Sequence, residues 1–150
     1  AAGGGGTAGS PLCSDRPLGA RSKWVASASR QNTPAWSVLD GSPSRWSTGQ
    51  PQNGNEWLQI DFGITVSIRR INLQQGEFSN DYPRNYAVYV SDTSRDSASP
   101  VRASGVGSSD ETTTIVLPHT VSGRYLFIRQ VGTSLSWWSV EEIEVSCFDG

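Results

Sequence analysis

Hydrophobic and polar positions alternate along most of the chain. Over residues 56–62, Leu58, Ile60 and Phe62 fall on one side and Trp57, Gln59 and Asp61 on the other, which predicts a strand with one buried face. Residues 66–74 begin with Val66 and Ile68 in phase and resume with Ile71 and Leu73, so the phase slips near Arg69 and Arg70 and predicts a β-bulge. Residues 22–29 place Trp24, Ala26 and Ala28 on one face, and residues 86–90 do the same with Tyr86, Val88 and Val90. A weak short strand at 101–103 and further strands at 112–117, 124–131 and 142–147 bring the set to about eight, spaced as in a sandwich. No segment carries a helical period over a useful length, and no internal repeat is present.

Two stretches break the alternation. Residues 39–49, LDGSPSRWSTG, hold an acid, turn-formers, hydroxyls, a guanidinium and an indole with neither period, which predicts an ordered loop. Residues 75–84, QGEFSNDYPR, form a second loop of polar and aromatic groups.

Composition agrees with an all-β reading: 16 Gly, 8 Pro and only 17% charged residues suit short strands and tight turns. At 150 residues the chain is expected to form one domain, spanning 12–150, with the Gly/Ala-rich 1–11 as a flexible linker or tag remnant. The formal net charge is -2 and the basic residues are scattered, so neither nucleic acid nor a membrane surface is an expected partner. Six Trp against no Met points to indoles used as stacking faces as well as core. Cys13 and Cys147 lie near opposite ends, which a sandwich brings together; a disulfide, and with it a secreted protein, is one expectation, two unpaired buried thiols the other.

Several motifs occur in order: VLDGSPSRWS at 38–47, EWLQIDFG at 56–63, DYPR at 81–84 leading into YAVYVS, GRYLFIR at 123–129 and WWSVEEIEV at 137–145. Together they resemble the discoidin or coagulation-factor type C domain, and within it the bacterial family 32 carbohydrate-binding modules. The resemblance implies an all-β jelly-roll β-sandwich of antiparallel strands with ligand loops at one end, carried beside a polysaccharide-active enzyme. It also implies a structural calcium ion, with sodium as the fallback, held by Asp40 and Glu142, the backbone of Ser37, Ser42 and Glu141, and the Ser44 hydroxyl. A hard cation of this kind takes six to eight oxygens. Ser42 stands where the family commonly has Asn or Asp, and the spacing from Asp-Gly to Trp is one residue shorter.

Saccharides are bound by stacking a ring face on an aromatic and meeting hydroxyls with planar polar groups. Adjacent Trp137 and Trp138 cannot both face inward from an extended segment. Trp137 aligns with the family's exposed aromatic, and Trp138 is expected beneath it. Gln75, Glu77, Asp81, Tyr82 and Arg84 supply the second loop, with Arg45 between metal and ligand. Trp46 is expected to be buried, and Trp36 either reaches the site or belongs to the core.

A catalytic role is not expected. The lone His119 follows Pro118 in an apparent turn, with no nucleophile motif beside it. Of Glu141, Glu142 and Glu144, two share a strand face and one is assigned to metal. The expected function is therefore targeting of a secreted enzyme to its polysaccharide or oligosaccharide. The alternative is an adhesion domain for phospholipid or a protein partner, which needs apolar loop tips flanked by basic residues.

Overall fold

The computed structural model describes Cys13, residues 17–42 and residues 44–147; the expected linker at 1–11, and Pro43, lie outside the described residues. The strands are β1 (Val25–Ala28), β2 (Trp46–Ser47), β3 (Glu56–Gln74), β4 (Tyr86–Ser91), β5 (Ala103–Gly105), β6 (Thr112–Gln130), β7 (Ser139–Val140) and β8 (Glu142–Ser146). Every pairing among them is antiparallel.

The expected first strand is shortened at its start, because Arg21–Lys23 forms a 3-10 turn. The weak strand at 101–103 is displaced to Ala103–Gly105. Two pairs of expected strands are each continuous. In β3 the break between 62 and 66 is bridged at Gly63, whose φ of +81° is open to glycine, and whose N–H donates to Asp61 Oδ1 at 2.8 Å. The chain bends there without leaving the ladder, and the register shifts between Asp61 and Val66. In β6, Pro118 and His119 lie within the strand rather than in a turn. Pairing with β3 jumps there from Arg70↔Val116 to Ile68↔Val121, so Pro118 sits in an unpaired stretch where its missing N–H breaks no ladder bond. That jump falls where the hydrophobic phase slips, and Val66, Ile68, Ile71 and Leu73 are all buried.

The two long strands build both layers. The first part of β3 pairs with β1 and with the last part of β6, which continues through β4 to β5. The second part of β3 pairs with β8 and with the first part of β6. Leu58 and Ile60 from one layer meet Ile71, Leu73, Ile115 and Val145 from the other in a single core. Each such side chain stabilises the fold by about 1.5–3 kcal/mol. The result is an all-β sandwich, as the alternation predicts.

Cys13 and Cys147 form a disulfide across a sequence separation of 134, with their Cα atoms 5.6 Å apart. Among the described residues no helix is long and apolar enough to cross a membrane. The segments between strand ends meet one another: Gln52 bridges Ser134, Val131 N–H donates to the Asn85 carbonyl at 2.8 Å, and Ser139 N–H donates to that of Asp81 at 3.0 Å. The polar loops of the sequence are thereby gathered into one surface.

Candidate ligand-binding site

One wall of this surface is the 3-10 turn Ala35–Leu39. Pro34 precedes it in extended conformation, and the Ala35 N–H donates to Gln31 Oε1 at 2.9 Å. Ala35 and Val38, three residues apart, are buried, as a three-residue turn requires, and Trp36 is left pointing out with 59% of its surface exposed. A core role for Trp36 is thus ruled out.

Trp36 faces the second loop across an open groove of ≈ 470 Å³ lined also by Thr33, Pro34, Arg45, Glu77 and Phe78. Glu77 is exposed. The Thr33 hydroxyl is buried and has no hydrogen-bond partner among the described residues.

Beneath the groove the loops are locked together. Arg45 Nη1 donates to Asp81 Oδ2 at 3.2 Å and to Ser139 Oγ at 3.0 Å, while Ser139 Oγ donates to the same Asp81 oxygen at 2.6 Å. The Arg45 guanidinium also lies 3.5 Å from the centroid of the Phe78 ring. Arg45 and Asp81, expected as ligand groups, are therefore committed to each other and to β7. Charge-assisted bonds of this kind hold a surface in one shape before a ligand arrives.

Gln75 is a clear departure from the expected ligand set. Its side chain is buried, with Nε2 donating to the carbonyls of Ser108 and Asp110 at 3.0 and 2.8 Å, and Oε1 accepting from Thr113 Oγ1 at 2.9 Å. It ties loop to loop and presents nothing outward. Arg84 is likewise turned inward: Nη1 donates to the carbonyls of Asn80 and Tyr82 at 2.9 and 2.7 Å, and its guanidinium covers the Tyr82 ring at 3.7 Å.

Trp137 and Trp138 divide as expected. Trp138 is fully buried, edge-on to the buried Trp46 at 4.8 Å, whereas Trp137 is 37% exposed. Trp137 does not line the groove; it lies on the adjoining loop with the almost fully exposed Leu135. Buried Gln52 positions that loop, donating from Nε2 to the Tyr82 and Trp137 carbonyls at 2.8 and 3.1 Å and accepting the Arg84 N–H at 3.0 Å. Gln52 and Phe78 have no counterpart among the expected residues. A buried amide after a proline and an aromatic inside a polar loop were the only signals they gave.

The expected metal ligands are arranged differently. Asp40 Oδ1 accepts from the N–H and hydroxyl of Ser42, both at 2.9 Å, and Oδ2 from the Ser44 hydroxyl at 2.8 Å. Desolvation pushes the carboxyl of exposed Asp40 up, but the Ser42 N–H and the Ser44 and Ser42 hydroxyls outweigh it and hold it below the ordinary aspartate value. Glu142 Oε1 accepts the Gly41 N–H at 3.1 Å, and Oε2 is paired with Arg21 Nη2. Ser37 is buried in its turn, and the Glu141 carboxylate lies against Gly76. Every carboxylate oxygen of Asp40 and Glu142 already accepts a hydrogen bond from the chain. Among the described residues no three His, Cys, Asp or Glu side chains converge. The guanidinium paired with Glu142 does not fit a calcium ion on the same carboxylate, because the two cations repel each other.

The chain is a member of the F5/8 type C domain family, whose model matches residues 23–143. Its fold is similar to that of a family 32 module from NanJ of Clostridium perfringens, solved with galactose, at 16% identity and a TM-score of 0.66 over 83% of this chain and 94% of that one. It is also similar to chitosan-binding module 1 from a chitosanase/glucanase of Paenibacillus sp. IK-5, at 18% identity and 0.69 over 83% and 95%. A third likeness is to the family 32 module of AlyQ, solved with 4,5-unsaturated mannuronic acid, at 16% identity and 0.67 over 84% and 95%. No match is found among curated proteins.

Proposed function

We propose that this domain is a non-catalytic carbohydrate-binding module that holds a saccharide in the groove between Trp36 and the Glu77–Phe78 loop. The observation that carries the reading is the exposed indole of Trp36 beside Glu77 in a concave site. The indole offers a flat apolar face for a sugar ring, Glu77 accepts from its hydroxyls, and the Arg45–Asp81–Ser139 cluster keeps the walls from having to order on binding. Trp137, exposed on the adjoining loop, offers a second aromatic face. The sugar-bound modules of similar fold support a saccharide as ligand, and the Paenibacillus module supports carriage beside a polysaccharide-active enzyme. The disulfide supports a secreted protein.

A second reading rests on Leu135 and Trp137, two exposed apolar side chains on one loop, as in domains that insert a loop tip into phospholipid or a protein partner. That loop, residues 132–138, carries no Lys or Arg, which weakens it for anionic lipid. A glycan array run beside sedimentation with phosphatidylserine vesicles separates the two. Saccharide retention that falls at least tenfold in Trp36→Ala supports the groove; unchanged binding in that variant, or retention by vesicles alone, overturns it.

A further inference from the structure

We infer that Arg21 is a built-in cation for this domain, its guanidinium doing the work that the family resemblance assigns to a calcium ion. Arg21 lies in the 3-10 turn immediately before β1. Its Nη2 donates to the Val38 carbonyl at 3.1 Å and pairs with Glu142 Oε2. Val38 belongs to the turn that presents Trp36, and Glu142 opens β8. The other Glu142 oxygen takes the N–H of Gly41, immediately after that turn. One positive group thus joins the N-terminal segment, the groove wall and the last strand.

The oxygens involved are of the kinds a hard cation would use, a carboxylate and a turn carbonyl. A guanidinium meets them with directional N–H donors, and cannot share them with a metal at the same point. The remaining acid, Asp40, is satisfied without any cation, by Ser42 and Ser44. The side chains of the pair are 35% and 17% exposed, so the link is partly screened from water and is not a loose surface contact. The carbonyls at the end of a short helical turn lack internal partners, and a cation there is favourable. The groove wall is consequently assembled by the polypeptide itself, and saccharide binding is expected to be indifferent to calcium.

The test is thermal unfolding of the intact domain with millimolar CaCl2, NaCl or EDTA, with calorimetric titration of calcium alone. The wild type is expected to keep its Tm under all three and to give no heat of calcium binding. Arg21→Ala is expected to lower Tm by about 2–4 °C. Glu142→Gln is expected to do the same, and the double variant to be no less stable than either single one. Calcium-dependent stabilisation of the wild type, or loss of Tm on chelation, would overturn the inference, as would an Arg21→Ala variant as stable as the wild type. Because the wild-type measurement needs no variant to fold, it decides the matter alone if Arg21→Ala is too unstable to purify.

Discussion

Trp137 and Trp138 are consecutive residues with opposite fates: the first leaves 37% of its surface in solvent, and the second is fully buried against Trp46. The loop reverses its side-chain direction at each residue, so one indole anchors it and the other is offered outward. Trp138→Ala is therefore expected to cost about 3–5 kcal/mol, the range for removing a large aromatic from a core. Trp137→Ala is expected to leave stability within about 0.5 kcal/mol. Denaturant unfolding of the two variants measures the contrast directly.

Gln52 is expected to act on both stability and binding, since its one side chain holds the Tyr82 and Trp137 carbonyls and the Arg84 N–H. Gln52→Leu removes these bonds from the Trp137 carbonyl and the Arg84 N–H, while the Tyr82 carbonyl keeps its bond from Arg84 Nη1, and a loss of about 1–3 kcal/mol follows. Amide exchange at Arg84, read by NMR or mass spectrometry, should quicken in this variant while the core strands stay protected.

A pH dependence is expected from Asp61. The bonds from Arg124, at 2.8 and 3.1 Å, hold its carboxyl below the ordinary aspartate value, reinforced by the Gly63 N–H and opposed by partial burial. A lowered native value means that the unfolded chain takes up a proton first as pH falls. The stabilisation is complete above the ordinary value of 3.8 and is lost as pH drops through the lowered native one. The Tm gap between wild type and Asp61→Asn should be widest near neutrality and close as pH falls through the lowered native value.

Gly76→Ala should destabilise for two separable reasons. A Cβ at Gly76 would sit 1.8 Å from Glu141 Oε2, and the residue has a φ of +60°. The carboxylate swings away, but the left-handed backbone still costs about 1–2 kcal/mol. Glu141→Ala in the same background should therefore recover only part of the lost Tm.

Much of the fold was legible because burial on one face writes itself into sequence every second residue. Leu58, Ile60 and Phe62 were placed by that rule alone, and the bulge by the phase slip at Arg69 and Arg70. The continuity of β3 and β6 was not legible, because a glycine bend within a strand has the same composition as a turn. The two-residue pairing of β2 with β7 is too short to carry a period. Glu77 is exposed at the groove and Trp137 on the adjoining loop, whereas the side chains of Gln75, Arg45, Asp81 and Arg84 are hydrogen-bonded to neighbouring segments. Polar side chains that bind a ligand and those that bind a neighbouring loop are the same residue types in the same loops. Only their partners tell them apart, and those partners lie far off in sequence, as Ser139 does from Arg45.

The pairing of Cys13 with Cys147 fixes how the domain carries load. A pull applied to the chain outside the two cysteines passes between Cα atoms 5.6 Å apart and is borne by the covalent bridge. The sandwich between them feels no tension along its strands.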